Sequence, residues 1–240
     1  MVFVFLHISE DAEILNPIQQ TFIKSLYTFY PEAEIIQVSD KKTKKIDKVT
    51  NVFRFDGDIN KIMEFRINSY KELALNKPAI YLDSDMIITK KFDIKKILNL
   101  NKNVLLKRSF DLDMKFNTKI KNLEFDEFNN KKINEVFPIL ACFIKSNSHI
   151  LWDQMSQHLD RLEKKFLYWY GDQEILKNLY FEDSKRYEFV DEKYFACLPK
   201  YIDKKSFPFI IHFKGFQNKE IFKNKIKLVN DYLEFINNSK

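Results

Sequence analysis

The sequence predicts an α/β fold, an open sheet with helices packed against it, and three observations carry that expectation. Apolar runs of strand length alternate with helical stripes in the order strand, helix, strand, strand, helix, strand from Val2 to Thr89. An acidic pair, Asp83 and Asp85, stands where the last of these strands ends, the edge at which such sheets bind ligands. A chain of 240 residues, 45% hydrophobic, can bury about 70–75% of its unfolded surface in one domain.

Each element has a local reason. Val2–Ile8 is β-branched and aromatic, as a buried strand is, and ends at His7-Ile8-Ser9. Asn16-Pro17 suits a helix start, and Ile18, Phe22, Leu26 and Phe29 keep a helical stripe until Pro31 stops it. Strands follow at Glu34–Ser39 and, after a basic loop, at Val52–Phe55. Asp58 is placed to cap a helix over Ile59–Leu75, and Pro78 opens the strand that delivers the acidic pair. A short helix from Asp93 to Leu100 leads to a strand at Val104–Lys107. Arg108–Lys132 has no consistent period and reads as irregular structure covering a site, and Glu135–Lys145 reads as a strand. Asn147 or Ser148 starts a helix carrying Leu151, Trp152, Met155 and Leu159. The aromatic run Lys164–Tyr170 favours core packing over a binding platform. Asp172 is placed to cap a helix over Gln173–Phe181, and a carboxylate and amide there can also face a sugar. Tyr187–Val190 and Phe207–Phe213 read as strands, and Glu220–Asn237 as a closing amphipathic helix.

Composition narrows the function classes. No run of about 20 apolar residues occurs, and Met1–Ile8 lacks the basic lead of a signal peptide. A soluble cytoplasmic protein without a transmembrane segment is expected, at most touching a membrane peripherally. The net charge is +6, but of 40 basic residues only Arg54, Arg66, Arg108, Arg161 and Arg186 are arginine. Nucleic-acid grooves favour Arg forks, so no nucleic-acid partner is expected. Three glycines, Gly57, Gly171 and Gly215, exclude a Gly-rich phosphate loop. Cys142 and Cys197 lie far apart in apolar contexts and read as buried free thiols.

The segment Ala79–Thr89 concentrates the chemistry. Two carboxylates flanked by Ile80, Leu82, Ile87 and Ile88 repel each other in partial burial unless a cation lies between them. On an extended backbone, residues two apart share a face about 6.5 Å apart at the Cα atoms, close enough to hold one divalent ion. The alternative is an acidic turn with Asp83 capping and Asp85 solvated. Strands of one open sheet share a crevice, so His7 and its neighbours lie near the acidic pair and suit a base and ribose, unless His7 is a satisfied strand-end histidine. His212, ending a strand and followed by Lys214 and Gly215, can complete a metal shell and meet phosphate.

Tyr-Leu-Asp-Ser-Asp at 81–85, Gly-Asp-Gln at 171–173 and Ile-Ile-His-Phe-Lys-Gly at 210–215 together resemble a nucleotide-sugar glycosyltransferase. The likeness is to family 8, the glycogenin and bacterial lipopolysaccharide galactosyltransferase-like enzymes, and runs from the first strand to Gly215. It implies a single GT-A (Rossmann-like) domain with a mixed central sheet. Residues 1–107 would form the nucleotide-binding part and 108–240 the acceptor-side and C-terminal part. It also implies Mn²⁺ or Mg²⁺ on Asp83, Asp85 and His212, Arg66 near the donor, and Lys214 and Gly215 on the diphosphate; with the strand-end residues His7, Ile8, Ser9, Asp83 and Ser84 these make up the expected donor site. Asp172 and Gln173 would lie beside the transferred sugar as the catalytic pair. The implied reaction is transfer from a nucleotide-diphosphate sugar, most naturally a UDP-sugar, to a glycan or lipid-linked saccharide with retention of configuration.

Two departures stand out. Pro138–Phe143 replaces the family's Asn, small residue and Gly, and the usual Lys-Pro-Trp after the histidine is missing, with Asn218-Lys219 in its region. Rival readings are a haloacid dehalogenase-type phosphohydrolase, a metal-dependent nucleotidyltransferase and a non-catalytic nucleotide-sugar binding protein. The first wants Thr or Val where Ile87 stands. The second normally carries a Gly-rich loop after its first strand, which Ile8–Leu15 lacks.

Overall fold

The chain's long apolar runs become strands covered on both faces. The computed structural model describes residues 1–9, 17–202 and 208–214. In chain order these form β1 (Val2–Leu6), α1 (Pro17–Phe29), β2 (Glu34–Ser39), β3 (Asn51–Arg54), α2 (Ile62–Glu72), β4 (Ala79–Asp83) and β5 (Met86–Ile88). Then come α3 (Ile94–Leu98), β6 (Asn103–Lys107), β7 (Lys119–Ile120), β8 (Leu123–Glu124), α4 (Ile133–Val136), β9 (Ile139–Ser146) and α5 (Ile150–Leu159). The series closes with α6 (Lys165–Tyr168), α7 (Gly171–Glu182), β10 (Tyr187–Asp191), α8 (Glu192–Phe195) and β11 (Ile210–His212). The expected cap at Asn16, the start of the Phe207 strand, Gly215, Asn218-Lys219 and the Glu220–Asn237 helix lie outside the described residues.

Among the described residues, seven strands form one sheet in the order β10-β6-β9-β4-β1-β2-β3. Neighbours are parallel except at β9, which runs antiparallel to both β4 and β6. The sheet is mixed and flanked by helices, as expected. Residues of β9 are buried along its whole length, and β1 and β4 are buried up to their last residue, which explains their near-continuous apolar sequences.

Alternation along the strands sorts two cores onto the two faces. Phe3, Phe5, Ile80 and Leu82 meet Phe22 and Leu26 of α1, Tyr30, and Ile94 and Ile97 of α3. Val2, Val4 and Tyr81 face the other way, onto Ile67 and Tyr70 of α2, Trp152 and Met155 of α5, and Ile175 and Leu176 of α7. There Tyr70, Tyr81 and Trp152 pack edge to face with ring centroids 4.6–4.9 Å apart, a geometry that adds to simple area burial.

Several local expectations are corrected. Asp58 does not cap α2, which begins at Ile62. Its carboxylate accepts from the Asn60 amide at 3.0 Å and stabilises a turn instead. Pro138 breaks the expected Glu135–Lys145 strand into α4 and β9, because the residue before proline is steered out of the helical region. The stretch expected to be irregular, Arg108–Lys132, contains the β7–β8 hairpin. Its Phe116, Phe125 and Phe128 join Phe137 and Phe166 in a separate core cluster. Scattered Phe without a period thus marks a small core built across loops.

Candidate active site

Parallel strands end at one edge, and β1 and β4 do so in register, Leu6 beside Asp83. His7 and Asp83 therefore leave the sheet together. The chain turns at Ser84-Asp85 and returns as β5, so a turn, not an extended strand, brings the second carboxylate round. The apolar residues after the turn pair antiparallel with β11, His212 opposite Met86. This ribbon places His212 Nε2 at 3.1 Å from Asp85 Oδ1 and 3.7 Å from Asp83 Oδ2. Three residues named from sequence thus converge across a separation of 127 positions.

The imidazole is buried, 3% exposed. Burial opposes its protonation, but the Cys142 sulfur and the Asp85 carboxylate, both within hydrogen-bond reach, outweigh that and raise its pKa to about 10. The ring lies 3.1 Å from Asp85, and its proton affinity is raised above the ordinary value near 6.5. The donor set fits a divalent cation. Bond lengths of about 2.0–2.3 Å place ligand atoms about 3 Å apart, close to the 3.1 Å and 3.7 Å that separate the ring from Asp85 and Asp83.

Arg66 is the second organising feature. From α2 its guanidinium donates to Asp83 Oδ1 at 2.8 Å, to Asp172 Oδ2 at 3.1 Å and to the Ala141 carbonyl at 3.0 Å. Burial alone would weaken its proton affinity, but Asp83, Tyr70 and Asp172 hold the proton more firmly than in water. Asp172 is 3% exposed. Its carboxyl is pushed above the usual range, chiefly by burial and against the pull of Arg66.

Asp172 is not the helix cap that the sequence suggests. It lies in the first turn of α7, its Oδ1 accepting from the Gln173 amide at 2.8 Å, and the residue before the helix is Tyr170 with φ 64°. Gly171 is needed here because a Cβ would collide with the Phe166 carbonyl oxygen. Gln173 presents a buried side-chain oxygen without a hydrogen-bond partner.

These residues line two adjoining hollows. One of about 520 Å³ is bounded by Arg66, Asp83, Asp85, Asp172, Gln173, His212 and Lys214. The other, about 290 Å³, is bounded by His7, Ile8, Gln19, Ser84 and again Arg66, Asp83 and Asp85. Gln19 of α1 also donates to Ser84 Oγ at 3.4 Å. Burial lowers the His7 pKa, partly offset by Asp40. Ser9 is engaged elsewhere, its amide donating to Thr43 Oγ1 at 2.9 Å. Lys214 Nζ lies 3.8 Å from Glu192 Oε1. A larger open hollow of about 690 Å³ lies between α1 and Asp47-Lys48, away from these groups.

The sequence reading missed Arg108, Asp111 and Met114, which also line the 520 Å³ hollow, favoured core packing over a binding platform for Trp169 and Tyr170, and read Cys142 as a buried thiol. Phe166 is core, but Trp169 and Tyr170 are half-buried walls of the hollow. Both cysteines are buried free thiols, as expected.

No protein-family model matches this chain, and no curated protein matches its sequence. Its backbone is similar to solved glycosyltransferases. The galactosyltransferase LgtC, determined with donor and acceptor sugar analogues, has a TM-score of 0.57 at 14% identity, covering 90% of this chain and 87% of its own. The glycosyltransferase GlyE of Streptococcus pneumoniae TIGR4 gives 0.55 at 16% identity, over 99% of this chain and 62% of its own. A glycosyltransferase involved in glycosylation of the major capsid of PBCV-1 gives 0.55 at 9% identity and covers 98% of both chains. The chain has the GT-A-like fold of these enzymes.

Proposed function

We propose that this protein is a family 8-type glycosyltransferase, moving a sugar from a nucleotide-diphosphate donor, a UDP-sugar, to a hydroxyl of a glycan or lipid-linked saccharide in the cytoplasm. The observation that carries this reading is the meeting of Asp83, Asp85 and His212 beside the Arg66–Asp172 pair in one hollow.

Asp83, Asp85 and His212 would hold Mn²⁺ or Mg²⁺, which when bound supplies positive charge for the leaving diphosphate. The chain's own groups do the rest. Arg66 fixes the Asp83 and Asp172 carboxylates, so neither must reorganise when charge develops nearby. Lys214 stands at the wall of the hollow, where its ammonium can approach a phosphate oxygen. The unpartnered oxygen of Gln173 is suited to accept from a sugar hydroxyl, satisfying a group whose isolation costs about 1–3 kcal/mol. The smaller hollow at His7, Ile8 and Ser84 is assigned to the base and ribose, and retention of configuration follows the resemblance.

The test is a thermal-shift series with UDP, GDP, CDP and their sugars, with and without Mn²⁺. One nucleotide is expected to raise Tm in a Mn²⁺-dependent way. Absence of any nucleotide-dependent shift, together with absence of donor-sugar hydrolysis, would overturn the proposal.

A further inference from the structure

Cys142 has no part in the reaction as proposed, yet it stands inside the cation site. The antiparallel register of β4 and β9 sets Leu82 opposite Phe143, and one step further puts Cys142 beside Asp83. Sγ of Cys142, a carboxylate oxygen of Asp83 and a ring nitrogen of His212 all lie within 4.8 Å of one another. Cys142 is 6% exposed, and it lines the 520 Å³ hollow. A cation entering by the hollow therefore meets sulfur as well as oxygen and nitrogen.

We propose that Cys142 Sγ is a metal ligand in this protein, forming with His212 and Asp83 a sulfur, nitrogen and oxygen set that favours Zn²⁺ or Co²⁺ over Mg²⁺. The proposal rests on the reading that this site holds a divalent cation, and it names which one. Tetrahedral zinc ligands stand about 3.4–3.7 Å apart at bond lengths of about 2.0–2.3 Å. Three donors already within 4.8 Å close to that spacing through shifts of about 1 Å, which side-chain torsions supply. Asp85 lies 3.1 Å from His212 but outside this mutually close set, which leaves the fourth position to water or substrate. Thiolate is a soft ligand that suits zinc, whereas Mg²⁺ demands oxygen in near-octahedral array and sheds water reluctantly. On binding, the S–H proton leaves to solvent and a sulfur–metal bond takes its place.

The experiment loads the full chain with Co²⁺ and records its absorption. The wild-type adduct is expected to show a near-ultraviolet sulfur-to-cobalt charge-transfer band. Cys197→Ser should keep that band, and Cys142→Ser should lose it while binding Co²⁺ at least roughly tenfold more weakly. Because Cys142→Ser alters a buried position, a second measurement uses the unaltered protein. Zn²⁺ should protect Cys142 from alkylation, read by peptide mass, and Mg²⁺ should not. A cobalt adduct with ligand-field bands but no sulfur band, or a band that disappears with Cys197 and persists without Cys142, overturns the thiolate ligand and leaves the cation reading standing. Failure of the wild-type chain to bind any divalent cation overturns both.

Discussion

His212 shows how much depends on a single ring. Its proton affinity is higher folded, with a pKa of about 10, than the ordinary 6.5. Protonation of this group therefore stabilises the metal-free fold fully below pH 6.5, and that contribution is lost as pH rises to about 10. In chelator, Tm of the wild type should fall across this window more steeply than that of His212→Gln; parallel curves would refute the assignment. Divalent binding displaces the same proton, so metal affinity should rise with pH over the same range. Asp83→Asn and His212→Ala are each expected to abolish Mn²⁺-dependent nucleotide binding, measured by calorimetry, with the fold retained by circular dichroism. Arg66→Met leaves Asp83 and Asp172 partly or fully buried without their counter-charge, and should destabilise by about 3–5 kcal/mol in urea unfolding. A loss under about 1 kcal/mol would mean that water or rearrangement compensates the carboxylates. The acidic pair and His212 were legible in sequence because each interrupts an apolar run at its end. The pairing of Arg66 with Asp172 was not, since 106 positions separate them and neither has a local pattern that names the other. Cys142 was hidden for the opposite reason: inside the apolar run of β9 it looks like any core residue.

At the scale of elements, the start of α7 is the most constrained. Gly171 lets the chain pass against the Phe166 carbonyl and sets the angle at which Asp172 meets Arg66. Gly171→Ala should therefore lower donor turnover and weaken the Arg66–Asp172 pair, even though alanine is the better helix former by about 1 kcal/mol. Unchanged turnover would show that the backbone yields at this point. On the far face of the sheet, Trp152→Ala removes a fully buried ring from the Tyr70–Tyr81–Trp152 cluster and should cost about 3–5 kcal/mol. Strand and helix order was readable because hydrophobic period and length agree over most of the chain. Caps were misread at Asp58 and Asp172 because an Asp before a helix serves a turn or an ion pair as readily as an N-cap. Tertiary contact decided between them. The Phe-rich stretch before α4 resisted reading because its core, shared with Phe137 and Phe166, is non-local.

The whole molecule is held together by β9. This strand comes from the second half of the chain, yet it lies between β4 and β6, both from the first. A fragment of residues 1–107 would leave β4 with an open edge and β6 without either of its neighbours, β9 and β10, and such edges promote association. It is expected to lack a cooperative unfolding transition and to aggregate, as circular dichroism and gel filtration would show. A soluble, cooperatively melting fragment would mean that the strands of the first half are self-sufficient. This interleaving is invisible to a reading of local patterns, which sees β9 only as one more apolar run.

The pairing of β5 with β11 also sets an order of events during synthesis. Asp85 leaves the ribosome 127 residues before His212, which at about 5–20 residues per second is an interval of roughly 6 to 25 s. Through that interval the nascent chain carries its carboxylates without the imidazole. At the proposed cation site the oxygen and sulfur donors are therefore made well before the nitrogen donor, and the set is complete only when β11 arrives.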